Sequence, residues 1–277
     1  MLAIKINNNI LLSVLILVLA LPYFGPTLWL VMASLSTNNQ IITDPLSFPN
    51  QLNYENYLYA WNKANLSNYV GNSLIVSSFT SILTVILATM LCYAITILIF
   101  PGRRFIYILI ITGIVMPVFA YMEPLIRITR TLGIGDSLIA LILTTTATYL
   151  PVPTLLMSSF FAVIPNDFID AGRVEGVSEL NIFIFIMIPL AIPGLLTIII
   201  FSFLWAWNDI LLPSIFLSSA DKYTVPMAIL TLKENQFRQD HVVVFAAAII
   251  STVPMIIVYL FFMKQFITGL TSGGLRG

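Results

Sequence analysis

Charge is what this sequence has least of. Only 9% of its 277 residues are Asp, Glu, Lys or Arg, twelve of each sign, against 59% hydrophobic residues. So few charges cannot clothe a water-soluble domain of this length. No basic run occurs, which argues against a nucleic-acid surface or a polybasic lipid patch. Cysteine and histidine are equally scarce: Cys92 and His241 each stand alone. One thiol forms no internal disulfide, and zinc or nucleophile chemistry needs partners at defined spacing. Cys92 therefore reads as a small packing residue, and no metal, cofactor or catalytic residue is expected. The patterns G-x-x-x-x-G-K-[ST], H-E-x-x-H and G-x-S-x-G are missing too, so the chain offers no phosphate-cradling loop and no common hydrolase motif.

Long apolar runs take the place of charge. A hydrocarbon core of roughly 30 Å is crossed by about 20 apolar residues in a helix, and these runs lack the alternation of barrel strands. The expected fold is all-α, a polytopic membrane protein with about six transmembrane helices near residues 10–32, 70–100, 105–122, 138–163, 182–212 and 242–263. The first run exceeds a signal-peptide core and lacks a small-x-small cleavage site, so it reads as a retained helix, interrupted by Pro22 and Pro26. Pro101-Gly102-Arg103-Arg104 marks a water-facing turn, and Pro151 and Pro153 should bend the fourth span. Residues from Gly269 onward read as a glycine-rich tail. Counting cations does not orient the chain: Lys5, Arg103, Arg104, Arg173, Lys264 and Arg276 fall on one side, and Lys63, Arg127, Arg130, Lys222, Lys233 and Arg238 on the other.

The polar segment 165–181, between the fourth and fifth spans, carries the most local information. Asn166 or Asp167 can cap a short helix, Asp167 and Asp170 suit its positive end, and Asp170 with Arg173 makes an i,i+3 ion pair. Gly176 offers a left-handed exit, and Ser178 can cap the helix that re-enters the bilayer. Local physics alone fits an ordinary hydrophilic loop just as well.

Asp170-Ala171-Gly172-x-x-Glu175-Gly176, followed by Ile188-Pro189, resembles the E-A-A-x-x-D-G…L-P signature of permease subunits of binding-protein-dependent ABC importers. Trp29 with Ser34-Leu35-Ser36, Asn53 to Tyr57, Asn72-Ser73-Leu74-Ile75, Trp207-Asn208 and the glycine-rich end extend the likeness, which is to the MalG-like carbohydrate permeases, along nearly the whole chain. Asp170, Gly172 and Glu175 depart from the usual Glu, Ala and Asp while keeping charge or small size, and Gly172 should loosen the helix by up to about 1 kcal/mol relative to Ala. The resemblance implies one importer transmembrane domain over 1–277, with a core of about 70–263, in the cytoplasmic membrane with both termini cytoplasmic. It implies a cytoplasmic coupling helix in which Asp170, Arg173, Glu175 and Glu179 make polar contacts to a separate ATPase while Ala171, Gly172 and Gly176 allow close approach. The partners it implies are a second, MalF-like permease, two ATP-binding cassette ATPases, an extracytoplasmic solute-binding protein and a sugar, oligosaccharide or polyol, with glycerol phosphate as an alternative. A stand-alone secondary carrier would need two related halves or more buried charge than this chain has.

Other polar residues keep two readings open. Asn208 and Asp209 beside Trp207 suit sugar hydroxyls, but Leu211, Leu212 and Pro213 follow so closely that an interfacial helix end, with Trp207 in an aromatic belt and Asp209 in water, is favoured. Thr144, Thr145, Thr146, Thr148 and Tyr149 form a polar stripe that fits either a solute path or helix packing. Arg127 and Arg130, like Tyr54, Tyr57 and Trp61, suit either a binding protein or water and the membrane interface.

Overall fold

The computed structural model describes residues 8–232 and 240–274. Lys5, Lys233, Arg238 and Leu275-Arg276-Gly277 of the glycine-rich end lie outside the described residues. Helices and their connections make up all the regular structure among the described residues.

Helix α1 (Asn8–Ser34) runs through Pro22 and Pro26 without the interruption expected there. Within a membrane a helix interior can absorb the hydrogen bond that proline removes, because neighbouring helices and hydroxyls satisfy the freed carbonyls. Two short helices follow, α2 (Asn38–Thr43), which the Thr37 hydroxyl caps by accepting from the Gln40 amide, and α3 (Glu55–Asn62). Helix α4 (Leu66–Thr96) covers the second of the expected spans.

Gly102, at φ +88°, turns the chain into α5 (Arg103–Val115), which meets α6 (Val118–Thr131) at 107°. The third span is thus sharply bent rather than straight. Pro117 holds Met116 extended and cannot donate a backbone hydrogen bond. Glu123, Arg127 and Arg130, expected in a connector, lie on α6 itself. Ser137 caps α7 (Leu138–Tyr149), and α8 (Pro151–Phe161) leaves it at 52°, the bend that Pro151 and Pro153 foretold. Beyond the short α9 (Asp167–Val174), α10 (Glu179–Ile182), a π-helical turn (Phe183–Met187) and α11 (Ile188–Leu190) form the first half of the fifth span, and α12 (Ile192–Asn208) turns away from it by 79°. Then come α13 (Leu211–Phe216), a 3-10 turn (Ala220–Lys222), α14 (Val225–Thr231) and α15 (His241–Gly274). Helix α15 continues to Gly274, well beyond the expected end near Met263.

Leu66–Thr96 and His241–Met263 are each long and apolar enough to cross a bilayer, and each of the three bent pairs becomes so when its halves are taken together. The contacts divide the chain into two units, Met1–Ser67 with Ile229–Val253 and Asn68–Ala228 with Pro254–Gly277. In the first, Trp29 packs edge-on against Phe245 and donates to the Pro45 carbonyl, and the buried Asn56 amide donates to the carbonyls of Ser34 and Ser36. In the second, one apolar cluster gathers Cys92, Tyr93, Met157, Phe161, Ile169 and Ile182, and another gathers Val76, Leu141, Leu212 and Phe216. Cys92 is fully buried, the packing residue expected of it.

The second unit also holds a polar clamp. Asp136 adopts a positive φ of 49° and accepts from the Ser218 and Ser219 amides, the Ser219 hydroxyl and Lys222 Nζ. The Ser219 hydroxyl bond, followed by the Ser218 amide and Lys222, holds the carboxyl well below the usual carboxylate range. Asn72 donates to the carbonyls of Asp221 and Tyr223, so the same loop is also tied to α4.

Candidate functional site

Helix α9 is short, and its sequence accounts for both of its ends. Asp167 and Asp170 lie in the first turn and Arg173 in the last, each charge matched to the nearer end of the helix dipole. Asn166 precedes the helix in helical geometry with no side-chain cap, so the expected capping bond does not form there. At the other end Gly176 takes φ +78°, its amide donates to the Arg173 carbonyl, and the Val177 amide reaches back to Gly172. These are the paired bonds of a Schellman ending, and they satisfy carbonyls that would otherwise be orphaned. Ser178 then caps α10 by accepting from the Asn181 amide at 3.4 Å.

One face of α9 is buried and the other is open. Ile169 (2% exposed) and Gly172 press inward, whereas Ala171, Glu175, Gly176 and Phe168 face out and Val174 is 89% exposed. A β-carbon on Gly172 would come within 3.2–3.3 Å of Ile182 and Ile186. The glycine therefore does more than loosen the helix, since it lets α9 lie closely on the start of the fifth span. An apolar groove of about 300 Å³ between Phe160, Val163, Phe168 and Pro193 borders one flank of α9, and a polar cleft of about 240 Å³ between Thr96, Arg103, Asn166 and Asp170 borders the other.

The charged residues of the segment do not all point the same way. Glu175 is exposed. Arg173 and Glu179 instead bond to each other, Nε to Oε1 at 2.7 Å, and Arg173 also approaches Asp170 at 3.6 Å. The second oxygen of Glu179 accepts from the Tyr93 hydroxyl of α4 at 2.7 Å. Tyr93 carries no local signal of this contact, because its partner lies 86 residues away.

Of the expected solute-path residues, the structure brings Tyr149 and Asp209 together through a 3.2 Å hydrogen bond, with Asn208 next in sequence, while Thr145 is buried. Asn208 is exposed, with its amide donating to the Leu204 carbonyl. Asp209 is 8% exposed, accepts from the Leu211 and Leu212 amides and from the Tyr149 hydroxyl, and so opens α13 rather than sitting in water. Trp207 is 2% exposed and stacked on Phe203, inside the protein and not in an interfacial belt. Its neighbour Trp205, which sequence reasoning passed over, is half-buried beside Tyr149 and Phe201 with ring centroids at 5.7 and 5.8 Å. Thr144, Thr145 and Thr146 are buried, and Thr144 bonds back to the Ala140 carbonyl in the manner of a packing residue. Arg127 pairs with Glu123 on the exposed face of α6. Among the described residues no group of His, Cys, Asp and Glu could hold a metal ion.

Comparison with known proteins gives consistent matches. Residues 99–271 match the family described as the binding-protein-dependent transport system inner membrane component. The diacetylchitobiose uptake system permease protein NgcG of Streptomyces coelicolor is 33% identical over 252 residues, 91% of this chain and 83% of that protein. The arabinooligosaccharides transport system permease protein AraQ of Bacillus subtilis is 30% identical over 97% of this chain and 96% of its own length. The trehalose transport system permease protein SugB of Mycobacterium tuberculosis is 31% identical, covering 91% and 92%. Among solved structures, a chain of a bacterial ABC transporter that imports the acidic polysaccharide alginate has the same fold, with a TM-score of 0.79 at 23% identity over 93% of this chain and 96% of that one.

Proposed function

The chain belongs to the binding-protein-dependent transport system inner membrane component family, and from that membership we propose that it is the permease subunit of an ATP-driven importer that carries a sugar or oligosaccharide by alternating access. The observation that carries this reading is the α9 segment: a signature-like sequence folded as a short helix with one open face, closed by the left-handed Gly176 and held against the fifth span at Gly172. Such a helix is a docking element. Its exposed face, with Ala171, Glu175, Gly176 and Val174, enters a cleft of a separate ATPase, and closure of the ATPase pair on ATP displaces the spans. The side that carries α9, and with it both termini, is cytoplasmic.

The chain contains no phosphate-cradling loop of its own, so hydrolysis belongs to the ATPase pair, and a second permease supplies the other half of the pathway. A solute-binding protein delivers the sugar. Along the pathway the groups best suited to a sugar are Trp205 and Tyr149, which present aromatic faces, and the exposed Asn208. Thr145 is buried and Asp209 is occupied in opening α13, which favours structural duties for both.

The test is purification of the complex from membranes, followed by reconstitution and measurement of oligosaccharide uptake with and without ATP. A copurifying ATPase and ATP-dependent uptake are expected. Uptake by this chain alone, with no ATPase present, would overturn the reading.

A further inference from the structure

We propose that Tyr93 and Glu179 are positioning residues that carry the movement of α9 to the second span, which depends on the docking role of α9 proposed above. The carboxylate of Glu179 uses one oxygen for each neighbour, Oε1 for Arg173 on α9 and Oε2 for Tyr93 on α4, both at 2.7 Å. Glu179 is also the first residue of α10, so a single side chain joins the short helix, the fifth span and the second span.

Stability alone does not account for this arrangement. Arg173 and Glu179 are 39% and 43% exposed, and ion pairs so open to solvent contribute little after screening and side-chain ordering. What the bonds add is direction. Apart from them, α9 meets α4 through an apolar cluster that includes Ile169, Cys92 and Tyr93, and such packing fixes proximity more than it fixes the line along which a displacement travels. Two short charge-assisted bonds through one carboxylate do fix that line. The ring of Tyr93 is held between Phe161 and Phe183, at centroid distances of 6.4 and 5.1 Å, so its hydroxyl is presented to Glu179 from a rigid seat. Arg173 stands at one of the unspecified positions of the signature.

Removing the Tyr93 hydroxyl alone tests the strut, because phenylalanine keeps the ring in place. The importer, assembled with its partner permease, ATPases and binding protein in liposomes, is assayed for ATPase retained, ATP hydrolysed and oligosaccharide taken up. Tyr93→Phe should keep the ATPase attached while uptake per ATP hydrolysed falls roughly three- to tenfold, the scale of coupling changes at residues that touch neither ligand. Tyr93→Phe combined with Glu179→Ala should lose no more than Glu179→Ala alone, because both remove the same link. Unchanged uptake per ATP in Tyr93→Phe, multiplied losses in the double variant, or detachment of the ATPase by Tyr93→Phe would each overturn the strut. Failure of the docking reading would look different: Gly176→Val and Glu175→Lys would then retain both the ATPase and normal uptake.

Discussion

Gly194 of α12 lies so close to Phe160 of α8 that a β-carbon added to it would come within 2.5 Å of the phenyl ring. Two halves of different bent spans meet at this point, and only a residue without a side chain lets them do so. Gly194→Ala should therefore overpack the contact and destabilise the chain by about 1–3 kcal/mol. Thermal unfolding of the detergent-purified protein would report it, and Phe160→Ala in the same chain should recover part of the loss. An unaltered melting temperature for Gly194→Ala would show that the two helices separate without cost.

Gly176 is constrained by its backbone rather than by its neighbours. It has φ +78° and nothing within 4 Å of where a β-carbon would stand. A β-branched residue in the left-handed region costs more than about 1 kcal/mol, whereas Asn visits it readily. Gly176→Val should lower the ATPase retained per permease and lower uptake with it, while Gly176→Asn should behave nearly as the native chain. Equal retention in all three would separate the turn geometry from docking.

The Asp136 clamp makes a prediction about pH. Its folded carboxyl titrates below the ordinary value of about 3.9, so it contributes stability at every pH above that value and loses it as pH falls through the folded pKa. Asp136→Asn keeps the shape and removes the charge, costing about 1 kcal/mol once the partial exposure of both partners is allowed for. The gap in melting temperature between native and variant should stay constant from about pH 5 to 8 and narrow below about pH 4. A gap that instead widens toward acid would contradict a depressed pKa.

Trp205 and Trp207 should behave as opposites. Trp207 is fully enclosed against Phe203, so Trp207→Ala should cost about 3–5 kcal/mol and lower the amount of folded protein. Trp205 is half-buried, so Trp205→Leu should leave assembly intact and raise the sugar concentration needed for half-maximal uptake. An unchanged uptake curve for Trp205→Leu would remove it from the pathway.

The two tryptophans also show where reading the sequence stops. The fifth span was expected to run to Leu212, whereas α12 ends at Asn208, and which indole faces the interior depends on what α12 packs against. Gly176 and Ser178 were legible because their duties are local: a turn needing positive φ and a cap three residues from its amide. Asn166 had the same chemistry, yet helical geometry at that residue left its side chain unused. The bend at Pro151 could be foreseen, whereas the 79° turn at Ala191 could not, since it combines a π-helical stretch with two prolines that read equally well as helix starts. Glu179 looked like an outward contact because only the folded chain brings Tyr93 to it.

That turn changes what the fifth span is mechanically. From Glu179 to the bend at Ala191 the chain forms an arm of about 18 Å, at 1.5 Å per residue. A sideways shift of about 3 Å at the Glu179 end swings such an arm through roughly 10° if the far end pivots. Because the axis is already broken at the pivot, the swing adds to an existing angle and need not drag α12 along its own length. If α9 docks as proposed, a small push at one end would become a rotation at the other, and the span would work as a crank rather than a piston.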